Sequence, residues 1–169
     1  KYVEAKQRIF RNQKKDDILI CNVQCLPESA ICPSTLLKAG VNEPDTELCV
    51  AEEPDGTWIH FRDKAYRIPV DEIRLLGQHN YFDIGVVYGV CSILGMDDGA
   101  FTAGLKTYEP LPHRLQYLGE RDGVKYYDDS ISTICDTTIQ ALKTLKDTDT
   151  VLIGGMDRGI DYRELIEYL

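Results

Sequence analysis

Residues 77–94 read Gly77-Gln78-His79-Asn80-Tyr81-Phe82-Asp83-Ile84-Gly85-Val86-Val87-Tyr88-Gly89-Val90-Cys91-Ser92-Ile93-Leu94. The run predicts a helix over Gln78 to Leu94. Gly85 and Gly89, four apart, share one face and allow close packing. Upstream, Ile18 to Asn22 reads as a short buried strand, and Glu47 to Ala51, Thr57 to Phe61 and Ala65 to Pro69 as further strands. The last two pair as a hairpin around Arg62-Asp63-Lys64. Residues 1–14 have helical period, with Val3, Lys6 and Phe10 on one face. Helices alternating with short apolar strands define an α/β fold.

Downstream, a second helix runs from about Asp98 to Tyr108. Glu109-Pro110-Leu111-Pro112-His113-Arg114 then reads as a hinge between domains. Past it, Leu115 to Gly119 and Val124 to Tyr127 form a hairpin about Asp122-Gly123, a strong turn dipeptide. Asp136 to Leu145 is helical, Thr150 to Ile153 reads as a buried strand ended by Gly154-Gly155, and Tyr162 to Leu169 begins another helix. The hinge divides the chain into 1–111 and 112–169. The first residues read as already inside a helix and the last residues as inside another, the pattern of a piece of a larger protein.

Composition narrows the function. The 169 residues are 43% hydrophobic and 28% charged, with 19 basic against 28 acidic side chains and a formal charge of −9. Such a chain buries a core, so disorder and fibrous repeats are excluded. The acidic balance argues against a nucleic-acid or anionic-membrane surface. The longest apolar run, Ile84 to Met96, is shorter than the roughly 20 residues of a membrane-spanning helix. Six cysteines are present without a C-x-x-C pair. Cys21, Cys25 and Cys32 match no common zinc spacing. Cys91, in an apolar helix, suits a buried thiol.

Four places carry chemistry. Lys6 lies on the apolar side of the first helix, either laying its stem along the core edge with a wet amine or partly desolvated and open to covalent modification or metal-linked chemistry. Asn80 opens a helix, where an amide caps the helix or reads a purine edge. Tyr127-Asp128-Asp129-Ser130-Ile131-Ser132-Thr133 lies between strand and helix, serving as cap or as ribose or carboxylate site. Val151-Leu152-Ile153-Gly154-Gly155-Met156-Asp157-Arg158-Gly159 is a strand, glycine turn and arginine of the kind that meets ligands at the carboxyl edge of an open sheet. There is no G-x-G-x-x-G and no Walker A motif.

In this order and spacing, Tyr2-Val3-Glu4-Ala5-Lys6, Gly77-Gln78-His79-Asn80, Leu111-Pro112-His113-Arg114, Asp128-Asp129-Ser130 and Gly154-Gly155 through Asp161 resemble the bacterial Mur ligases. Within that family they are similar to the UDP-N-acetylmuramoyl-alanine–glutamate ligases, and the resemblance covers nearly the whole chain. It implies the latter part of a central ATPase domain (1–111) followed by the first part of a Rossmann-like C-terminal domain (112–169). The UDP-binding domain, the phosphate loop and the upstream magnesium ligands lie outside these residues. This segment is therefore expected to be inactive alone.

The implied activity is ATP- and magnesium-dependent amide formation in cytoplasmic peptidoglycan precursor synthesis. The UDP-MurNAc-L-alanine carboxylate becomes an acyl phosphate, which the glutamate amine attacks. By resemblance, Lys6 aligns with a carbamylated lysine that ligates magnesium. Asn80 contacts adenine, Arg114 meets the nucleotide at the hinge, and Asp129 holds the ribose hydroxyls. Thr133 and Arg158 fall where the incoming glutamate is held. The expected partners are these small molecules, with no nucleic acid, no membrane insertion and a monomeric state.

Three positions depart from the family pattern. Asp83 replaces an asparagine that assists adenine binding, Ile131 the lysine of the D-S-K segment, and Arg158 a lysine of the glycine turn. The last two surround the glutamate pocket. The family default is D-glutamate, and these changes resemble a branch that adds L-glutamate. The alternatives are a folylpolyglutamate-synthase-like ligase and a non-catalytic ligase-like binding subunit.

Overall fold

The computed structural model describes residues 2–25, 32–156 and 159–169, and the chain divides into two compact units. One takes the chain up to Pro69 with Tyr81–Ala103, the other Val70–Asn80 with Gly104–Leu169. The division after residue 111 expected from the Pro-rich hinge thus falls inside the second unit. Within it Arg74 pairs with Glu109, and Lys106 Nζ lies 2.5 Å from Glu72 Oε2. These pairs join residues 70–80 to the chain after 104.

The first unit is built on one five-stranded sheet: β1 (Ile18–Asn22), β2 (Thr35–Val41), β3 (Leu48–Glu53), β4 (Gly56–Phe61) and β5 (Lys64–Arg67), lying side by side in chain order. β1, β2 and β3 run parallel, while β4 and β5 return antiparallel. The hairpin at Arg62-Asp63 is as expected, with Arg62 left-handed at φ 57. β2 is a strand the local pattern did not announce. Lys38, Ala39 and Gly40 are poor strand formers, yet β2 bonds on both sides and buries Leu37 and Ala39. β1 is half-buried along its length, because it forms the sheet's edge.

α2 (Gln78–Ile93) meets its expected bounds to within a residue. A methyl at Gly85 would run into Val50, and one at Gly89 would stand 2.7 Å from Leu48 Cδ1 and 3.3 Å from Ile20 Cδ1. The two glycines therefore let the helix backbone approach the sheet. α3 (Asp98–Thr107) adds Phe101 to an aromatic cluster. There Tyr66 stacks on Tyr88 at 4.8 Å, and Phe101 stands edge-on to both. α1 (Tyr2–Gln7) is shorter than the expected helix, passing into a 3₁₀ turn at Arg8–Phe10. Ile9 is 80% exposed, so no buried apolar stripe sustains a longer helix.

In the second unit, β6 (Gln116–Arg121) and β7 (Val124–Asp128) form the expected hairpin, bulged at Leu118. Asp122 and Gly123 take φ 54 and 79, the two left-handed positions of a type I′ turn. α4 (Cys135–Thr144) and α5 (Arg163–Tyr168) close a small core of Cys135, Ile139 and Leu165, with Ile160 against it. Gly77, at φ 92, passes so close to Thr144 that no side chain fits there.

Two expectations are corrected. Thr150 to Ile153 is not a buried strand: it pairs with no strand among the described residues, and Leu152 is 94% exposed. A strand is completed by a neighbour's backbone groups, and none lies beside it. Cys91 is half-buried rather than buried; Cys49 and Cys135 are the buried thiols, and all six cysteines are free.

Candidate functional site

The richest polar arrangement joins the segment after Pro112 to the loop after β7. Leu115 is buried and anchors that segment. His113 and Leu115 both take left-handed backbone, at φ 66 and 44. The Leu115 amide donates to Asp129 Oδ1 at 2.9 Å, and the Ser132 hydroxyl donates to Asp129 Oδ2 at 2.5 Å. The Ile131 amide donates to the His113 carbonyl at 3.1 Å. His113 Nδ1 lies 2.7 Å from Asp128 Oδ2, and the Ser130 amide donates to Asp128 Oδ1 at 2.9 Å. The His113 bond, then the Ser130 amide, hold the Asp128 carboxyl down at about 2.

This settles the role of residues 128–133 in local structure. The N-cap of α4 is Ile134, with no side-chain cap bond, so the carboxylates and hydroxyls of the loop do not cap that helix. Asp129 instead orders the loop. A carboxylate offers about four lone-pair sites, and two are used here, one per oxygen. Each oxygen keeps an acceptor site for a hydroxyl donor. Arg114, between the two left-handed residues, is exposed and makes no ion pair among the described residues. The backbone that carries Arg114 is thus tied to the Asp129 carboxylate through the Leu115 amide, and that carboxylate keeps spare acceptor sites.

The other expected residues are placed as follows. Thr133 is exposed, in the same unit, four residues beyond Asp129. Asn80 is half-buried in the first turn of α2 and donates from Nδ2 to the Leu76 carbonyl at 2.6 Å. It therefore holds the chain entering the helix and is not an N-cap, which accepts from amides. Lys6 is exposed on α1, in the other unit. Of the two settings open to Lys6, along the core edge with a wet amine or partly desolvated, its exposure here matches the first. A depression of 480 Å³ on that side of the chain is lined by Glu4, Gln7, Arg8, Phe10, Arg11 and Pro33. Asp83 and Ile131 are exposed. Arg158 and Asp157 lie outside the described residues.

Burial, with smaller contributions from Cys25 and Cys32, pushes the Cys21 thiol up. Among the described residues, however, no group of three His, Cys, Asp or Glu side chains is arranged to hold a metal. No helix is long and apolar enough to cross a membrane. Sequence reading singled out the stretch holding Asp128 and Ser132, and His113 as part of a motif, but missed Leu115 and the pairing of His113 with Asp128. The one signal was the doubled aspartate, since nothing local links position 113 to position 128.

No protein-family model matches the chain. It is 34% identical over 172 residues to a UDP-N-acetylmuramoylalanine–D-glutamate ligase of Staphylococcus haemolyticus, matching 99% of this chain and 37% of that protein. It is 32% identical over 169 residues to the ligase of the same name from a Hydrogenobaculum species, at 99% and 39%. The chain thus spans little more than a third of the length of these curated relatives. Among solved structures, MurF from Acinetobacter baumannii matches with a TM-score of 0.64 at 14% identity, over 88% of this chain and 33% of that one. A pseudomurein peptide ligase type C from Methanothermus fervidus matches with a TM-score of 0.61 at 13% identity, over 85% and 36%. At these identities the structural likeness shows the fold.

Proposed function

We propose that the chain is a Mur ligase segment, part of an ATP-dependent ligase joining glutamate to UDP-N-acetylmuramoyl-L-alanine in peptidoglycan precursor synthesis, a reading that its likeness to UDP-N-acetylmuramoylalanine–D-glutamate ligases supports. The reading is supported by the names of the relatives and, in the structure, by one observation above others. Arg114, exposed and without an ion pair among the described residues, precedes Leu115, whose amide is held by an Asp129 carboxylate that retains acceptor sites.

In this reading Asp129 accepts from the two ribose hydroxyls of ATP, one at each oxygen. The arrangement discriminates, because a half-buried acceptor pair loses these partners with a sugar lacking those hydroxyls. The Arg114 guanidinium meets the nucleotide's phosphates, where its charge offsets the negative charge that builds as the phosphoryl group is transferred. Asn80 lies against the adenine edge, and Thr133 and Arg158 hold the glutamate. ATP supplies the phosphoryl group that turns the substrate carboxylate into an acyl phosphate, which the glutamate amine attacks.

Magnesium is the other requirement of this chemistry. Among the described residues, no group of three His, Cys, Asp or Glu side chains forms its donor set. Lys6, as a carbamate, is the one ligand this segment is proposed to contribute. An oxygen ligand of that kind suits a hard cation.

The deciding assay is phosphate release by the full-length protein containing this chain, supplied with ATP, magnesium and UDP-MurNAc-L-alanine, with D- and L-glutamate compared. Turnover with either isomer supports the ligase. The preferred isomer reports on Ile131 and Arg158, which by resemblance replace lysines of the glutamate pocket. A folded protein that binds ATP and turns over with neither isomer refutes the glutamate-adding reading.

A further inference from the structure

We propose that His113 is a positioning residue and Asp128 its partner: together they lock the segment carrying Arg114 onto the loop carrying Asp129, so that the two present themselves to a nucleotide as a preset pair. The inference rests on the reading of Arg114 and Asp129 as nucleotide contacts, and adds how their geometry is held.

The backbone states the problem that the side chains solve. Two non-glycine residues flanking Arg114 take left-handed φ values, which isolated L-residues disfavour and which persist only when their surroundings over-determine them. Three groups of His113 are engaged. Its amide donates to Gln116 Oε1 at 2.9 Å, its carbonyl accepts from the Ile131 amide at 3.1 Å, and its ring Nδ1 lies 2.7 Å from Asp128 Oδ2. On the other side of Arg114, the Leu115 amide is taken by Asp129 Oδ1 at 2.9 Å. Two successive carboxylates at the end of β7 therefore grip the residues on either side of the arginine. Asp128 is itself fixed by the Ser130 amide at 2.9 Å. From His113 onward, the segment that follows the prolines is held by these bonds.

The ion pair contributes little stability, because the His113 side chain is 62% exposed and exposed pairs are screened by water. Its consequence is geometric. Without it, the left-handed turn keeps the His113 amide's bond to Gln116 Oε1, its backbone bonds and the Asp129 tie, and Arg114 no longer leaves the loop in one direction.

The test uses the full-length protein with His113→Ala, Asp128→Asn and the double variant. Each single change is expected to weaken binding of a fluorescent ATP analogue, and to raise the KM for ATP, by about five- to tenfold, leaving kcat and the KM for glutamate within about twofold. The double variant should be no worse than either single one, since both remove one interaction. His113→Asn, which tolerates left-handed backbone and offers an amide donor, should restore affinity to within about twofold of the parent. Amide exchange at Leu115 and Ile131 should quicken by about tenfold in His113→Ala.

Additive losses, a fall in kcat at unchanged nucleotide affinity, or unaltered exchange at those two amides would overturn the proposal. A parent protein that binds no ATP analogue refutes the nucleotide reading instead, and the exchange measurement still decides whether His113 and Asp128 clamp the turn.

Discussion

The imidazole of His113 and the carboxylate of Asp128 lie 2.7 Å apart, Nδ1 to Oδ2, and join the chain before β6 to the end of β7. Hydrogen bonds from His113 and from the Ser130 amide favour the charged carboxylate, so Asp128 is held at about 2, below its ordinary 3.8. A carboxyl lowered on folding contributes stability that is complete above its unfolded value and is lost as pH falls through its folded one. The contribution is therefore present from just above 3.8 upward and disappears toward pH 2. A carboxyl-carbon NMR titration should find Asp128 half-protonated near 2 and, in His113→Ala, shifted up toward the ordinary value. An unmoved midpoint would show that the imidazole does not set it.

Glycines on two helices should respond oppositely to alanine. In Gly85→Ala the new methyl meets Val50, which is fully buried, and overpacking of this kind costs about 1–3 kcal/mol. Gly104, within α3, has nothing within 4 Å of an added methyl. Gly104→Ala should stabilise by about 0.5–1 kcal/mol through helix propensity. Urea denaturation of both variants checks the pair of signs.

Tyr88 separates packing from hydrogen bonding. It is 1% exposed, stacked on Tyr66, and its hydroxyl donates to Asp98 Oδ1 at 3.0 Å. Tyr88→Phe keeps the ring and leaves an exposed aspartate to water, so about 0.5–1.5 kcal/mol is lost. Tyr88→Ala opens a cavity at the centre of the aromatic cluster and costs about 3–5 kcal/mol. Equal losses in the two variants would contradict this division.

Lys6→Ala in the full-length protein should lose most ligase activity, with partial return on adding short carboxylates that replace the proposed carbamate oxygens. Turnover at the parent's level would remove Lys6 from the chemistry.

What this chain's sequence determined by itself is what depends on neighbours a few residues away. The Gly85 and Gly89 spacing marked the face on which α2 meets the sheet. Asp122-Gly123 marked a two-residue turn, because both positions require left-handed backbone that these residues tolerate. The order of short motifs carried the family.

Tertiary structure decided the rest. Thr35–Val41, with a lysine, an alanine and a glycine in succession, is an inner strand, while the more strand-like Thr150 to Ile153 has no partner among the described residues and stays exposed. The helical position of Lys6 allowed either a wet or a partly desolvated amine, and the fold leaves it exposed. His113 and Asp128 are 15 residues apart, and no local pattern couples them. Strand pairing, burial and a closed hydrogen-bond network are each completed by groups distant along the chain. A residue's own propensity says what it can do there, and the partner that folding brings beside it settles what it does.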